Sequence, residues 1–140
     1  MAQTPDSLDA ALAQVGDRWS LRLIDALLSG PRRFNELQHD VDGIATNVLS
    51  QRLKNLEQTG VIVARPYSRR PPRYTYELTG SGRELGGALM LLTGWGARHS
   101  EGADVPHHQA CGTSLEPRWF CPTCDRAVDE DDEGERLHYA

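Results

Sequence analysis

The three cysteines of this 140-residue chain lie close together near its C-terminal end, in the stretch "HHQACGTSLEPRWFCPTC". Cys121 and Cys124 form a C-x-x-C pair, nine residues separate Cys121 from Cys111, and His107 and His108 stand just before Cys111. Two close-spaced donor pairs joined by a short loop suit a tetrahedral zinc ion, because each pair binds one side of the ion. The spacing therefore predicts a structural zinc site with three Cys ligands and one His ligand.

The predicted zinc ligands are His108, Cys111, Cys121 and Cys124, with His107 as the alternative to His108. His108 is favoured because it makes the first pair H-x-x-C. A redox switch, and a disulfide with one thiol left over, are the competing interpretations of the three cysteines. The N-terminal sequence has no signal-peptide pattern, so we expect a cytoplasmic protein whose thiols stay reduced. Reduced, clustered cysteines more often hold metal than form disulfides.

Charge is distributed unevenly along the chain, although the net charge is only −5. Residues 1–100 carry 12 Lys/Arg against 10 Asp/Glu, whereas residues 101–140 carry 3 against 10. Within residues 51–83 there are seven basic residues and two acidic ones. A basic middle region is typical of proteins that contact nucleic acid. No stretch reaches the ~18 apolar residues that a membrane span requires, so a membrane is not an expected partner.

Hydrophobic spacing predicts a mostly α fold with one small β-hairpin. We expect a helix that begins after an N-cap at Asp17, a short helix over residues 35–41, and a helix over 46–59 that ends at Gly60. "VIVARPY" and "YTYEL" are predicted strands, joined by "SRRPPR" as a hairpin. A last helix is predicted from about Ser81 to His99, although repeated glycines weaken such a helix in isolation.

The helix predicted over residues 46–59 has two contrasting faces. Helical spacing places Leu49, Leu53 and Leu56 on one side. The opposite side is rich in amides, which can pair with adenine edges, and has a lysine that can reach guanine or phosphate, so this side suits a DNA major groove. A stiff, proline-containing hairpin follows, and its arginines suit a phosphate backbone. These polar residues are Asn47, Gln51, Lys54 and Gln58 on the helix, and Arg65, Arg69, Arg70 and Arg73 around the hairpin.

These segments resemble the HxlR-type winged helix-turn-helix family of bacterial transcription regulators. The matching features are Trp19, "GPRRFNEL", the Gly-Ile pair before the recognition helix, "LSQRLKNLEQTGVI", "PPRYTYELTGSG" and Trp95. They cover roughly residues 7–99, in the order in which the family has them. The resemblance implies a winged helix-turn-helix fold, binding to double-stranded DNA, and a homodimer built from the first and last helices.

The resemblance also implies which residues contact DNA. The groove contacts fall on Thr46, Asn47, Ser50, Gln51 and Lys54, and the wing contacts on Arg69, Arg70 and Arg73. Arg52 lies toward the buried flank of the helix, where it either braces the helix or reaches a phosphate. Family members that sense oxidants place a reactive cysteine before the first core helix, but "PDSLDAALAQVGDRW" contains none. The common redox mechanism of the family is therefore not carried over.

The sequence as a whole predicts three regions. Residues 1–100 are expected to form the winged helix-turn-helix and dimerisation domain, residues 101–128 a small zinc-ribbon-like module, and residues 129–140 an acidic tail. We expect a repressor, because the sequence has no evident activation domain and a dimer that occupies a promoter blocks transcription. The alternative is a protein-interaction adaptor in a transcription or repair assembly. An enzyme is not expected, because no deaminase H-x-E motif, phosphate-binding glycine loop or Ser/His/Asp set is present.

Overall fold

The computed structural model describes residues 6–128, and the predicted acidic tail at 129–140 lies outside the described residues. The described chain contains two compact units that divide between Met90 and Leu91. Its elements, in chain order, are α1 (Ser7–Val15), α2 (Arg18–Leu28), β1 (Arg32–Arg33), α3 (Phe34–Asp40), α4 (Thr46–Gln58), β2 (Ile62–Arg69), β3 (Pro72–Leu78), α5 (Gly80–Arg98), β4 (Trp119–Cys121) and β5 (Arg126–Val128).

Helix α2 begins where the sequence predicts, at the N-cap Asp17. The Oδ1 atom of Asp17 accepts hydrogen bonds from the backbone N–H groups of Trp19 at 3.0 Å and Ser20 at 2.9 Å. These bonds satisfy two of the N–H groups that every helix start leaves without a backbone partner. The apolar face of α2 is buried in the core.

The core of the first unit lies between α2, α3, α4 and the β2–β3 hairpin. Helix α2 packs on α4 and on β3, and α4 also packs on β2. Burial of these leucines, isoleucines and valines is the main favourable contribution to folding. The core residues that α2 to β3 contribute are Leu23, Ile24, Leu27, Leu37, Val41, Ile44, Leu49, Leu53, Leu56, Val61, Ile62 and Leu78.

The first sheet has three antiparallel strands in the order β1-β3-β2. The β2–β3 strands are longer than predicted, because Arg69 pairs with Pro72 and only two residues remain at the tip. A bulge between Pro66 and Ser68 accommodates the proline inside β2. Strand β1 was not predicted, since two residues are too short to show a strand period.

Helix α5 starts after Thr79, whose hydroxyl donates to the Gly60 carbonyl at 2.6 Å and accepts from the Gly82 N–H at 3.2 Å. Helical spacing in the sequence predicts one apolar line along this helix, which a homodimer would bury: Leu85, Leu89, Leu92 and Trp95. Leu89, a member of that line, instead packs in the core of its own unit and is 7% exposed. Leu92 and Trp95 are 53% and 56% exposed.

The second unit contains the end of α5 and the cysteine-bearing segment. His107 forms an isolated antiparallel bridge with Ser114. Strands β4 and β5 form a short hairpin with Trp119 opposite Val128 and Cys121 opposite Arg126. Cys111 and the cysteine pair therefore each sit next to a tight reversal of the chain.

Candidate nucleic-acid interface

The helix-turn-helix segment consists of α3, the turn at residues 41–45 and α4. Gly43 in this turn has a φ of 80°, a left-handed conformation that favours glycine. Val41 and Ile44, on either side of the glycine, are buried and hold the turn against the core. The position of α4 is therefore fixed by packing on both sides of the reversal.

Helix α4 separates its two faces as the sequence predicts. Leu49, Leu53 and Leu56 are at most 2% exposed. The outer face carries hydroxyl, amide and ammonium groups, and the one carboxylate of the helix, that of Glu57, lies in its last turn. The structure thus places all five residues predicted for the groove on the solvent-exposed surface of one helix: Thr46, Asn47, Ser50, Gln51 and Lys54.

Two side-chain hydrogen bonds order this outer face. Gln38 Nε2 of α3 donates to Thr46 Oγ1 at 2.7 Å, and Gln51 Nε2 donates to Asn55 Oδ1 at 3.0 Å. Sequence reasoning missed Gln38, because its contact with α4 depends on how the two helices pack. The N-cap residue Ala45 has no side-chain oxygen, so the first N–H groups of α4 have no side-chain cap. The face offers hydrogen-bond donors in a nearly carboxylate-free setting.

Arg52 differs from the other predicted DNA contacts. Its Nε lies 3.3 Å from Asp17 Oδ1, and its side chain is 34% exposed. Asp17 Oδ2 in turn accepts a hydrogen bond from Ser20 Oγ at 2.6 Å. This geometry favours the bracing role for Arg52, because the ion pair connects the recognition helix α4 to the start of α2.

Partial burial of Asp17, and its contacts with Ser20, Arg52 and Trp19, also shift the pKa of its carboxyl group. Partial burial raises its pKa, but the hydrogen bonds from Ser20, the positive charge of Arg52 and the Trp19 N–H together lower it further. The net result is a pKa below the ordinary value of 3.8. Asp17 is therefore ionised at neutral pH, as the contact with Arg52 requires.

The tip of the β2–β3 hairpin exposes the arginines predicted for the wing. Arg69, Arg70 and Arg73 are all solvent-exposed. Among residues 6–128, no carboxylate forms an ion pair with any of the three. Arg65, nearer the base of the hairpin, instead pairs with Glu77 on the neighbouring strand. The tip therefore retains its positive charge, while the base is partly neutralised.

One further arginine lies against the hairpin. The Arg33 guanidinium is 4.6 Å from the centre of the Tyr67 ring, over its face. Strand β1 places Arg33 there, because it pairs with Thr75 of β3. The sequence contains no signal for this contact, since it depends on the pairing of a two-residue strand.

The predicted metal ligands form two pairs in the second unit. His108 Nδ1 lies 3.3 Å from Cys111 Sγ. The Cys121 thiol is hydrogen-bonded to the backbone and side chain of Cys124 and to the backbone of Thr123, and these bonds lower its pKa. Hydrogen bonds with Thr113, first through its side chain and then through its backbone, lower the pKa of the Cys111 thiol. Both thiols are thus shifted toward the thiolate that a metal binds.

The two pairs are not joined into one cluster. In the part of the chain that the structure describes, no group of three or more His, Cys, Asp or Glu residues lies close enough to hold a metal ion. No disulfide joins any of the three cysteines, all of which are described. The predicted ligands thus lie in two separate pairs, His108 with Cys111 and Cys121 with Cys124.

Together, the helix-turn-helix, the hairpin wing and the exposed donor face define a winged helix-turn-helix DNA-binding protein. None of its described helices is both long and apolar enough to cross a membrane. Residues 14–104 match the family model described as HxlR-like helix-turn-helix, and the chain belongs to that family. It is a DNA-binding transcription regulator. The winged helix-turn-helix prediction is thereby confirmed, whereas the zinc ribbon stays a prediction.

Individual relatives agree with this assignment. The chain is 35% identical over 127 residues to the uncharacterised HTH-type transcriptional regulator Rv3095 of Mycobacterium tuberculosis, covering 88% of this chain and 80% of that protein. It is similar to the solved structure of YtcD, an HTH-type transcriptional regulator of Bacillus subtilis, with a TM-score of 0.64, 36% identity, and coverage of 68% and 97%. The reduced form of the regulator YodB from B. subtilis gives a TM-score of 0.59 at 27% identity, with coverage of 73% and 100%.

Proposed function

We propose that this chain is a dimeric, sequence-specific repressor that reads operator DNA with α4 and holds the DNA backbone with the β2–β3 wing. The observation that carries the proposal is the ordered, donor-rich outer face of α4, combined with a wing tip whose arginines have no carboxylate partner in the described chain. Side chains on a helix can read base edges in the major groove, and arginines on a neighbouring wing bind phosphates without regard to sequence.

The residues of the outer face divide by chemistry. Asn47 and Gln51 can each offer an amide donor and acceptor to adenine, and Lys54 can reach guanine or phosphate. Although Gln51 Nε2 donates to Asn55, its second N–H and its Oε1 atom remain for a base. Thr46 and Ser50 fit phosphate or sugar contacts, since hydroxyl groups commonly position a protein on the backbone.

The dimer is supported by apolar side chains that the domain leaves in solvent. On α1, Leu8 and Leu12 are 63% and 53% exposed. On α5, Met90, Leu92 and Trp95 are each more than half exposed. Large exposed apolar groups of this kind mark interaction sites. A second copy of the chain is the occupant we propose, because two-fold symmetry would bury the same helices on both subunits and place two recognition helices on one DNA face.

Repression follows from geometry rather than from an added activity. A dimer that covers two half-sites within a promoter competes directly with the transcription machinery for the same DNA. In the described chain, residues that are not part of the winged helix-turn-helix belong mainly to the small cysteine-bearing segment.

Footprinting on genomic fragments selected by the purified protein tests this proposal. We expect a symmetric footprint with two half-sites whose centres are about 10 bp, or a multiple of that, apart. Protection that requires another protein would instead support the adaptor function, and an asymmetric single site would argue against a dimeric reader.

We also propose that residues 101–128 form a structural zinc module. Three thiols and an imidazole are the donors that Zn²⁺ prefers, and a closed set of four leaves no position for substrate water. The segment has few apolar residues, and Leu115, Trp119 and Phe120 are all at least 46% exposed. A core this small needs a metal to hold a fixed fold.

A further inference from the structure

Extending the proposed zinc module, we infer that its metal site is assembled from two preformed, hydrogen-bonded chelate turns, with His108 rather than His107 as the fourth ligand. The first chelate turn is residues 108–113 and the second is residues 121–125. Each turn presents two donors on its own, and the ion joins the two turns.

The first chelate turn is closed by backbone hydrogen bonds. The Cys111 and Gly112 N–H groups donate to the His108 carbonyl at 3.2 and 2.7 Å, and the His108 N–H donates to the Thr113 carbonyl at 2.8 Å. Gly112 has a φ of 71°. This reversal places the imidazole nitrogen 3.3 Å from the sulfur, so both donors already face one side of the turn.

The second chelate turn repeats this arrangement with a different sequence. The Cys121 sulfur is hydrogen-bonded to the backbone and side chain of Cys124 and to the backbone of Thr123. Asp125, the residue directly after the second donor, has a φ of 52°. Asp125 therefore holds the same place in its turn as Gly112 holds in the first. Backbone N–H groups directed at a sulfur stabilise it as an anion, that is, as a thiolate.

The bridge at the start of the first turn distinguishes the two histidines. His107 pairs with Ser114 in an extended, antiparallel arrangement. Neighbouring side chains of an extended segment point to opposite sides. Because the ring of His108 lies against Cys111, the ring of His107 is directed away from the donors. The geometry therefore favours His108, the same histidine that the H-x-x-C spacing favours.

The chemistry of the donors identifies the ligand class. Thiolates with one imidazole select borderline-soft ions such as Zn²⁺ over Mg²⁺ or Ca²⁺. Since no group of three or more donors in residues 6–128 is close enough to hold a metal, the ion must draw the two turns together. Metal binding and ordering of the second unit are then one coupled event.

Titration of the full-length, reduced, metal-free protein with Co²⁺ tests this site, because tetrahedral thiolate-bound Co²⁺ absorbs visible light. We expect one Co²⁺ per chain, displaced by one Zn²⁺. His107→Ala should bind Co²⁺ with the wild-type spectrum and affinity. His108→Ala should bind at least about 100-fold more weakly and give a changed spectrum, since loss of a ligand is more severe than loss of its support.

The outcomes separate this inference from the broader zinc proposal. If the wild-type protein binds no Co²⁺ or Zn²⁺, both are wrong. If it binds one ion and His107→Ala abolishes binding while His108→Ala does not, the zinc module stands and the assignment of His108 fails. Helical circular dichroism of each variant should stay close to that of the wild type, because helices α1 to α4 belong to the first unit, which contributes no ligand.

A second pair of variants tests the preformed turns without altering a ligand. A Cβ at Gly112 would meet no atom within 4 Å, so Gly112→Ala disturbs only the left-handed backbone. We expect Gly112→Ala to weaken Co²⁺ binding by about tenfold, because alanine is strained in this conformation. Asp125→Gly removes the strain of the left-handed backbone at position 125, so this variant should bind Co²⁺ at least as tightly as the wild type. Equal affinities for both variants would show that turn geometry does not prepare the site.

Discussion

At the scale of single residues, Asp17 connects folding to the placement of the recognition helix. It caps α2 through the Trp19 and Ser20 N–H groups and pairs with Arg52 of α4. The Arg52 Nε is shielded from solvent and has no hydrogen bond of good geometry in the described structure, so the carboxylate charge is its main compensation. One side chain thus stabilises the start of α2 and orients α4, the helix proposed to read DNA.

Asp17→Asn should lower the free energy of unfolding by about 1 to 2 kcal/mol at pH 7. Asparagine still suits an N-cap, but it leaves the Arg52 charge poorly compensated. Because folding lowers the pKa of Asp17 below 3.8, its contribution is fully present above that pH and is lost as the pH falls through the lowered value. Urea denaturation at several pH values measures both effects.

Asp6→Asn is the matched control, since Asp6 caps α1 through the Leu8 N–H and has no arginine partner among residues 6–128. We expect it to change stability by less than Asp17→Asn at pH 7. A constant difference between the wild type and Asp17→Asn down to about pH 2 would contradict the role of the ionised carboxylate.

At the scale of elements, α4 and the wing are expected to contribute differently to DNA binding. Gln51→Ala should relax base preference, by about 1 to 3 kcal/mol if Gln51 pairs well with a base. Arg70→Ala should weaken binding to all DNA sequences alike. The slope of the logarithm of the binding constant against the logarithm of the salt concentration should become shallower by about 0.9 for each phosphate that the variant no longer binds. Fluorescence anisotropy on matched and mismatched DNA, across a range of salt concentrations, measures both.

Arg65→Ala provides the control within the same hairpin. Arg65 is already paired with Glu77, so its removal should change the salt slope less than the removal of Arg70. Equal slopes for the wild type and Arg70→Ala would count against an arginine wing on DNA.

The elements that the sequence predicts are those that depend on residues close together in the chain. Asp17, the leucines of α4 and the two strands of the hairpin each follow from residues near one another in the chain. The contacts of Gln38 with Thr46 and of Arg33 with Tyr67 could not be predicted, because they join separate elements. From the sequence alone, the glycines of α5 predict only a weaker helix.

One of those glycines has a packing role that sequence spacing does not show. A Cβ at Gly82 would lie 2.2 Å from the Val61 carbonyl oxygen and 2.9 Å from Leu78 Cδ2. Glycine therefore allows the start of α5 to approach the backbone where β2 begins. Its helix-weakening effect, about 1 kcal/mol relative to alanine in an isolated helix, is offset by that close packing.

At the scale of the whole molecule, the proposed dimer needs apolar surfaces that the monomer does not use. Leu89 is part of the core of its own unit, so charging it would unfold the domain rather than test the interface. Leu12 on α1 and Leu92 on α5 are both 53% exposed and make no comparable contribution to the core. They are the positions at which a charge distinguishes assembly from folding.

Leu12→Glu combined with Leu92→Glu should therefore give a folded monomer. Operator affinity should fall by about 10² to 10⁴, because two linked recognition helices bind far more tightly than one. Sedimentation velocity measures the assembly, circular dichroism the fold, and anisotropy the affinity. Leu115→Glu, at a leucine that is 46% exposed outside α1 and α5, is the matched control and should remain dimeric. A double variant that stays dimeric and binds its operator normally would place the interface on other surfaces.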